Sequence, residues 1–269
     1  MSTGNAILVG ISGPSSSGKT TLARLLRDVL PNAFILHEDD FYKDDSQIPQ
    51  HHTGVADWDC LGALDLPSLE SALRHIKMHG SPPPDFVSKE DKNSVGQVDV
   101  DHTVVDDLTW RASKWMFQNV PPVAIIDGFL LYSEDMKGIR DLFDVKLFLK
   151  TDFETTKQRR ENRSGYFTLQ GFWVWTTAFL LTTDLTMLTH EKQEDPPDYV
   201  PKVVWPNYVK DHAFLFHDGD VEGQYDGAKL AELNISGAPS STQKNMTQCL
   251  EWAYEVVEHA LTNFRETKE

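Results

Sequence analysis

The chain is short of cysteine, of targeting signals and of positive charge, and each shortage removes a class of protein. Two cysteines, Cys60 and Cys249, stand among 269 residues. They are far apart and give neither a CxxC pair nor a metal-ligand spacing, which fits a reducing compartment. The expected location is the cytoplasm, a nuclear pool included. The N-terminal Met1-Ser2-Thr3-Gly4-Asn5 runs directly into the apolar stretch 6–11, with no basic region and no long apolar core. No signal peptide is therefore expected. Long apolar runs are missing too: 168–183 lacks charges but is studded with Thr, Gln and Gly, and Asp184 ends it. That is too short and too polar for a membrane span. Lys plus Arg number 25 against 41 Asp plus Glu, a formal net charge of −16. Such a field repels nucleic acid and anionic membranes and mildly favours a cationic ligand, although solubility accounts for much of it. No nucleic-acid or membrane partner is expected, and the chain reads as a monomer or weak homo-oligomer.

What is present is ordinary in bulk, with 40% hydrophobic and 25% charged residues, enough for a full core. Short apolar runs at 6–11, 33–37, 123–127, 145–149 and 213–216 read as strands. Helical periodicity marks 20–30, 66–78, 108–117, 153–163 and 243–264, and Gly80 closes the second of these. The stretch 80–105, rich in Pro, Asp, Ser and Lys, reads as a surface insertion. Strands alternating with helices predict an α/β fold: a parallel five-stranded sheet flanked by helices, in a single domain spanning 1–269. Ligands of such sheets bind at the carboxyl ends of the strands. The conspicuous polar residues obey that rule: the glycine loop at Gly13, the acidic pair at Asp39 and Asp127 each follow a strand directly.

Gly13-x-x-x-x-Gly18-Lys19-Thr20 has the P-loop spacing, with a strand before it and a helix after. Backbone N–H groups converge on phosphate oxygens, and glycines supply the conformations that side chains would block. The expected ATP-binding set is Gly13, Ser15, Ser16, Ser17, Gly18, Lys19, Thr20 and Thr21. Lys19 reaches the β and γ phosphates, and the Thr20 hydroxyl ligates Mg²⁺. A GTPase would need a guanine-selecting Asn-Lys-x-Asp, which is absent. Asp59-Cys60-Leu61-Gly62 fits Asp-x-x-Gly but follows no apolar strand.

Phosphoryl transfer to a hydroxyl calls for a carboxylate that accepts its proton. Asp39, in Glu38-Asp39-Asp40-Phe41-Tyr42, stands where it can do so and can also reach the Mg²⁺ shell. A solvated acidic turn is the competing reading. Asp40 joins the expected substrate-binding set. Asp127 reads as a carboxylate that orders the metal and its waters. Lys157-Gln158-Arg159-Arg160-Glu161-Asn162-Arg163 is a basic run in an acidic chain. Arg159 and Arg163, at i and i+4, share a helical face and can clamp a phosphoryl group from a lid over 157–200. A solvated basic face is the alternative.

Taken together, Gly-x-Ser-Gly-x-x-x-Ser-Gly-Lys-Thr-Thr, Glu-Asp-Asp-Phe-Tyr-Lys, Trp58-Asp59, Ile-Ile-Asp-Gly-Phe-Leu-Leu, Arg-Arg-Glu-Asn-Arg and Val204-Trp205-Pro206-Asn207-Tyr208 resemble the nicotinamide riboside kinases, among the uridine kinase-like P-loop kinases. The resemblance spans about 6–219. It implies ATP-dependent phosphorylation of a riboside 5′-hydroxyl with Asp39 as base. It also puts Asp59 and Arg160 on the ribose hydroxyls, Arg159 and Arg163 on the nucleotide, and Trp58 and Tyr166 on either side of the nicotinamide ring. Aromatic faces attract such a cationic ring by roughly 0.5–2 kcal/mol. Uridine or cytidine kinase activity is the alternative within enzymes, and a non-catalytic nucleotide-binding regulator the alternative outside them. The chain departs from the family pattern at Trp58, where tyrosine is expected, and at Asp127, where glutamate is. It departs again at 174–193, which separates Gly171-Phe172-Trp173 from Glu194-Asp195-Pro196-Pro197. These 20 residues correspond to a whole number of codons, begin with Val (a GT codon) and end with Gln (CAG allowed). A retained intron translated in frame is one explanation and a genuine lid insertion the other; either way an apolar insert would hinder lid closure.

Overall fold

The computed structural model describes residues 5–88, 98–118, 120–162, 195–243 and 245–266. The elements in chain order are β1 (Ile7–Ser12), α1 (Lys19–Val29), β2 (Ala33–His37), α2 (Leu66–His79), α3 (His102–Ala112), β3 (Val123–Asp127), α4 (Lys137–Arg140), β4 (Val145–Phe148), α5 (Phe153–Glu161), α6 (Trp205–His212), α7 (Gly227–Leu233), β5 (Ser236–Gly237) and α8 (Met246–Glu266), joined by turns and short 3₁₀ segments. The strands form one sheet in the order β2-β3-β1-β4-β5, every pairing parallel.

Successive strand residues point to opposite faces, so the continuous apolar runs of β1 and β3 are buried on both. Ile7, Val9 and Ile11 pack with Val123 and Ile125 beneath α1, α3 and α8, where Leu22, Leu26, Leu250 and Val257 are fully buried. Leu8, Ala124, Ile126 and Phe148 face the other way, under α2 and α6 with Leu69, Leu73, Ile76 and Tyr208. Burying each such aliphatic side chain contributes about 1.5–3 kcal/mol, so these two layers fix the sheet and leave its carboxyl edge free for chemistry.

Two expectations need correction. The run 213–216 is not a strand: Ala213–Leu215 is a 3₁₀ turn that continues from α6. Four apolar residues look alike whether they end a buried helix or form a buried strand. The fifth strand is Ser236–Gly237, which pairs with Leu147 and Phe148 and is too short to show a period. The surface stretch after Gly80 also ends sooner than expected. Val100 already joins the core, and Asp101 caps α3 by accepting a hydrogen bond from the Thr103 N–H at 2.8 Å. The helix expected over 108–117 therefore starts at His102 and gives way to a 3₁₀ segment at Ser113.

His212 closes α6 as a buried neutral imidazole. Its Nδ1 lies 3.1 Å from the Tyr208 carbonyl oxygen, with the rings of Tyr208 and Phe148 at 5.0 and 5.4 Å. Burial pulls its pKa down to about 4, only weakly opposed by that carbonyl. A depressed folded-state pKa means full stabilisation above the ordinary 6.5 and loss of it as pH falls through about 4. The size of the loss is about 3 kcal/mol. Urea unfolding of the parent and His212→Phe between pH 7 and 4 checks this: the parent's stability relative to the variant should fall by that amount, and parallel profiles would contradict it.

Candidate active site

The loop after β1 has a shape that only its sequence permits. Gly13 has φ 142°, and a Cβ there would lie 2.4 Å from the Leu149 carbonyl oxygen. No other residue fits. Ser16 (φ 59°) and Gly18 (φ 97°) turn the chain into α1, whose first residue is Lys19. The N-terminus of this 11-residue helix thus faces the loop with its unpaired N–H groups and positive dipole end. The Ser16 and Ser17 hydroxyls are buried and have no hydrogen-bond partner among the described residues. Lys19 Nζ donates to the Pro14 carbonyl oxygen at 2.9 Å, so its ammonium lies across the loop.

Sheet register supplies the carboxylate behind the loop. Asp127 lies opposite Ile11 on β1 and opposite His37 on β2. Its Oδ2 accepts from the Thr20 hydroxyl at 2.5 Å, and its Oδ1 lies 2.5 Å from His37 Nδ1. Both side chains are almost fully buried. Burial works against the charge on His37, but the hydrogen bond and charge of Asp127, with Asp40 and Asp39 beyond, raise its pKa to about 9. Burial likewise opposes ionisation of Asp127, and His37 and Thr20 outweigh it and hold its pKa below the ordinary value. The result is an imidazolium–carboxylate pair at neutral pH. Asp127, with both oxygens engaged by Thr20 and His37, would steady a metal from behind the Thr20 hydroxyl.

Thr20, Asp127, the orphaned serine hydroxyls and the glycine cradle fit a triphosphate with Mg²⁺. Among the described residues no cluster of three or more His, Cys, Asp or Glu could hold a metal alone. That suits Mg²⁺, which is commonly held by one or two carboxylates together with substrate phosphates.

The acidic turn after β2 is a 3₁₀ segment, Glu38–Phe41, that leaves Asp39 and Asp40 half-buried at the sheet edge. Glu38 anchors it. Its Oε2 accepts from the N–H groups of Phe129 and Leu130 at 2.6 and 3.1 Å. Burial raises its pKa to about 8 against those two hydrogen bonds. A Cβ on Gly128 would stand 2.5 Å from that oxygen, so Gly128 is what lets the two loops meet.

The acceptor side is built around Arg160, on α5. Its guanidinium donates to both oxygens of Asp59 (2.8 and 3.1 Å), both of Asp195 (2.6 and 3.3 Å) and the Ser15 hydroxyl (3.1 Å). Burial opposes its charge, yet Asp59 and Asp195 raise its pKa. Trp58 is half-buried beside them. Tyr42 meets Trp58 edge to face at 5.5 Å and stacks on Phe129 at 6.3 Å. Tyr42 thus links three aromatic rings carried on the segments that also hold Asp39, Asp40 and Asp59.

Arg159 lies near the loop, its Nη1 donating to the Ser16 carbonyl oxygen at 3.2 Å. Arg163, Tyr166 and the stretch 174–193 lie outside the described residues. Sequence reasoning missed four contributors. His37 was legible only as the last residue of β2, because its pairing with Asp127 is a matter of register. Glu38 passed for one more acid in a run. Asp195 and Tyr199 flank the Pro196-Pro197 pair and carry no motif of their own.

The comparisons with known proteins agree with this geometry. The chain is 36% identical over 260 residues to the nicotinamide riboside kinase of Schizosaccharomyces pombe, covering 96% of this chain and 99% of that one. The chain belongs to the nicotinamide riboside kinase family. The family's Eremothecium gossypii member is 34% identical over 232 residues, 86% of either chain. Its Saccharomyces cerevisiae member is 34% identical over 240 residues, 87% of this chain and 88% of that one. No protein-family model matches the chain.

Proposed function

We propose that this chain phosphorylates the 5′-hydroxyl of nicotinamide riboside, with ATP as donor and Mg²⁺ as cofactor, to give nicotinamide mononucleotide for NAD salvage. Family membership supports the reaction, and the ring set at the acceptor side supports the substrate. The observation that carries the reading is the contact of Tyr42 with both Trp58 and Phe129, on the segments that carry Asp39, Asp40 and Asp59. Aromatic faces backed by carboxylates favour a flat cation. A neutral pyrimidine would instead need donors and acceptors directed at its edge.

ATP with Mg²⁺ supplies the transferable phosphoryl group and neutralises its charge. The chain's residues do the rest. The Ser16 and Ser17 hydroxyls and the α1 N-terminus hold phosphate oxygens, and Lys19 neutralises the β and γ groups. Thr20, steadied by Asp127, holds the metal. Asp39 accepts the proton of the attacking hydroxyl, while Asp59 and Arg160 hold the ribose. Glu38 ties the half-buried acid turn that carries Asp39 to the segment after β3. Incubation with ATP, Mg²⁺ and nicotinamide riboside should give nicotinamide mononucleotide and ADP in equal amounts. ADP formed without the mononucleotide would sink this reading.

A further inference from the structure

The segment 199–207, far from the reacting atoms in sequence and function, holds the loop that carries Trp58 and Asp59. Tyr199 reaches this loop with its hydroxyl, which accepts from the Trp58 N–H at 3.0 Å and donates to the Ala56 carbonyl oxygen at 3.2 Å. Asn207, on α6, reaches it with its amide, which donates to both carboxylate oxygens of Asp57 at 2.9 and 3.1 Å. Asp57 in turn accepts from the Asp59 N–H at 3.1 Å. Three consecutive loop residues are thus tied to two side chains of one neighbouring segment. The same Tyr199 ring lies under Arg160, with the guanidinium carbon 5.4 Å from the ring centre. Arg160 therefore rests on Tyr199, which also holds the residue before Asp59, and Asp59 is tied to Asn207 through Asp57.

The carboxylate of Asp57 is costly where it stands. The residue is 8% exposed, and its carboxylate accepts from the Asn207 amide and the Asp59 N–H. A buried carboxylate is kept only where hydrogen bonds compensate its lost hydration. The return for it here is a fixed direction for the Asp59 backbone, and hence for the two groups assigned to the riboside.

We infer that Asn207 and Tyr199 are positioning residues for the riboside, acting through Asp57 and the Trp58–Asp59 backbone, and that they set acceptor affinity without touching the acceptor. The inference rests on the riboside assignment under Proposed function. Misplacing binding groups by about an ångström costs up to about a hundredfold. Loss of the brace should therefore raise the riboside KM by about tenfold or more, with kcat and the ATP KM within about twofold.

The test is a charge swap. Asn207→Asp sets a second carboxylate against Asp57 and should raise the riboside KM. Asp57→Asn alone should raise it less. The double variant Asp57→Asn with Asn207→Asp rebuilds the amide–carboxylate bond in reverse and should return the KM to within about threefold of the parent, a coupling that a cycle of the four proteins isolates. Tyr199→Phe, which keeps the ring under Arg160 and removes the hydroxyl, should raise the riboside KM alone. Three results would overturn the brace: a double variant no better than Asn207→Asp, a rise in ATP KM parallel to that for the riboside, or a kcat loss equal to the loss in kcat/KM. If the parent prefers uridine, the substrate assignment fails on its own, and the same cycle measured with uridine still tests the brace.

Discussion

Asp39→Asn should cut kcat by about a hundredfold to ten-thousandfold, the share of rate that a positioned general base supplies. The amide keeps the size and the hydrogen-bonding reach of the carboxylate but cannot accept the proton. Its neighbours should stay in place, because Glu38 holds the turn that carries it through the Phe129 and Leu130 N–H groups. Nucleotide binding should change little, since Lys19, Thr20 and the serine hydroxyls are untouched. Initial rates at saturating substrates, with calorimetric titration of ATP and Mg²⁺, separate the two effects. Near-parental kcat at neutral pH would remove Asp39 from the role of base. A matched loss of ATP affinity would instead assign it to the metal.

The second large effect is expected at Arg160. Arg160→Ala leaves Asp59, 7% exposed, facing Asp195 with no cation between them. Removing one partner of a buried ion pair typically costs about 3–5 kcal/mol, because the remaining charge stays buried. Asp195 is partly exposed and can turn to water, so the lower end of that range is expected. Riboside affinity should fall as well, by at least about tenfold, because Asp59 loses the fork that fixes both its oxygens. Arg160→Lys should rescue little. An ammonium cannot serve two carboxylates and a serine hydroxyl in one plane or stack flat on Tyr199. Urea unfolding and riboside KM for the two variants check both parts. A lysine variant with parental values would show that charge alone is needed.

These two predictions draw on different layers of the molecule, and the layers were unequally legible in the sequence. The P-loop, the acid at the end of β3 and the turn at Asp39 could be read because each is a local pattern: a glycine spacing, or a polar residue closing an apolar run. The sheet could be read because β1 and β3 are unbroken apolar stretches buried on both faces. What escaped was whatever depends on register or on return of the chain. His37 and Asp127 face each other only because β2 and β3 run parallel in one register. Asp195 meets Arg160 across 35 positions, and Asn207 meets Asp57 across 150. No periodicity encodes such contacts. The fifth strand failed for a simpler reason, since Ser236 and Gly237 are two residues of low strand propensity held by Leu147 and Phe148.

The P-loop points to a nucleoside triphosphate donor, and the acceptor assignment rests on fewer residues. One measurement bears on it directly: a single reaction with limiting ATP and equal concentrations of nicotinamide riboside and uridine, the two nucleotide products being separated and counted. The ratio of products is the ratio of kcat/KM values. Nicotinamide mononucleotide should dominate by about tenfold or more, from roughly 0.5–2 kcal/mol of cation–π attraction with the acidic residues of the same segments adding to it. Equal products, or an excess of uridine monophosphate, would contradict a site built for a cationic ring.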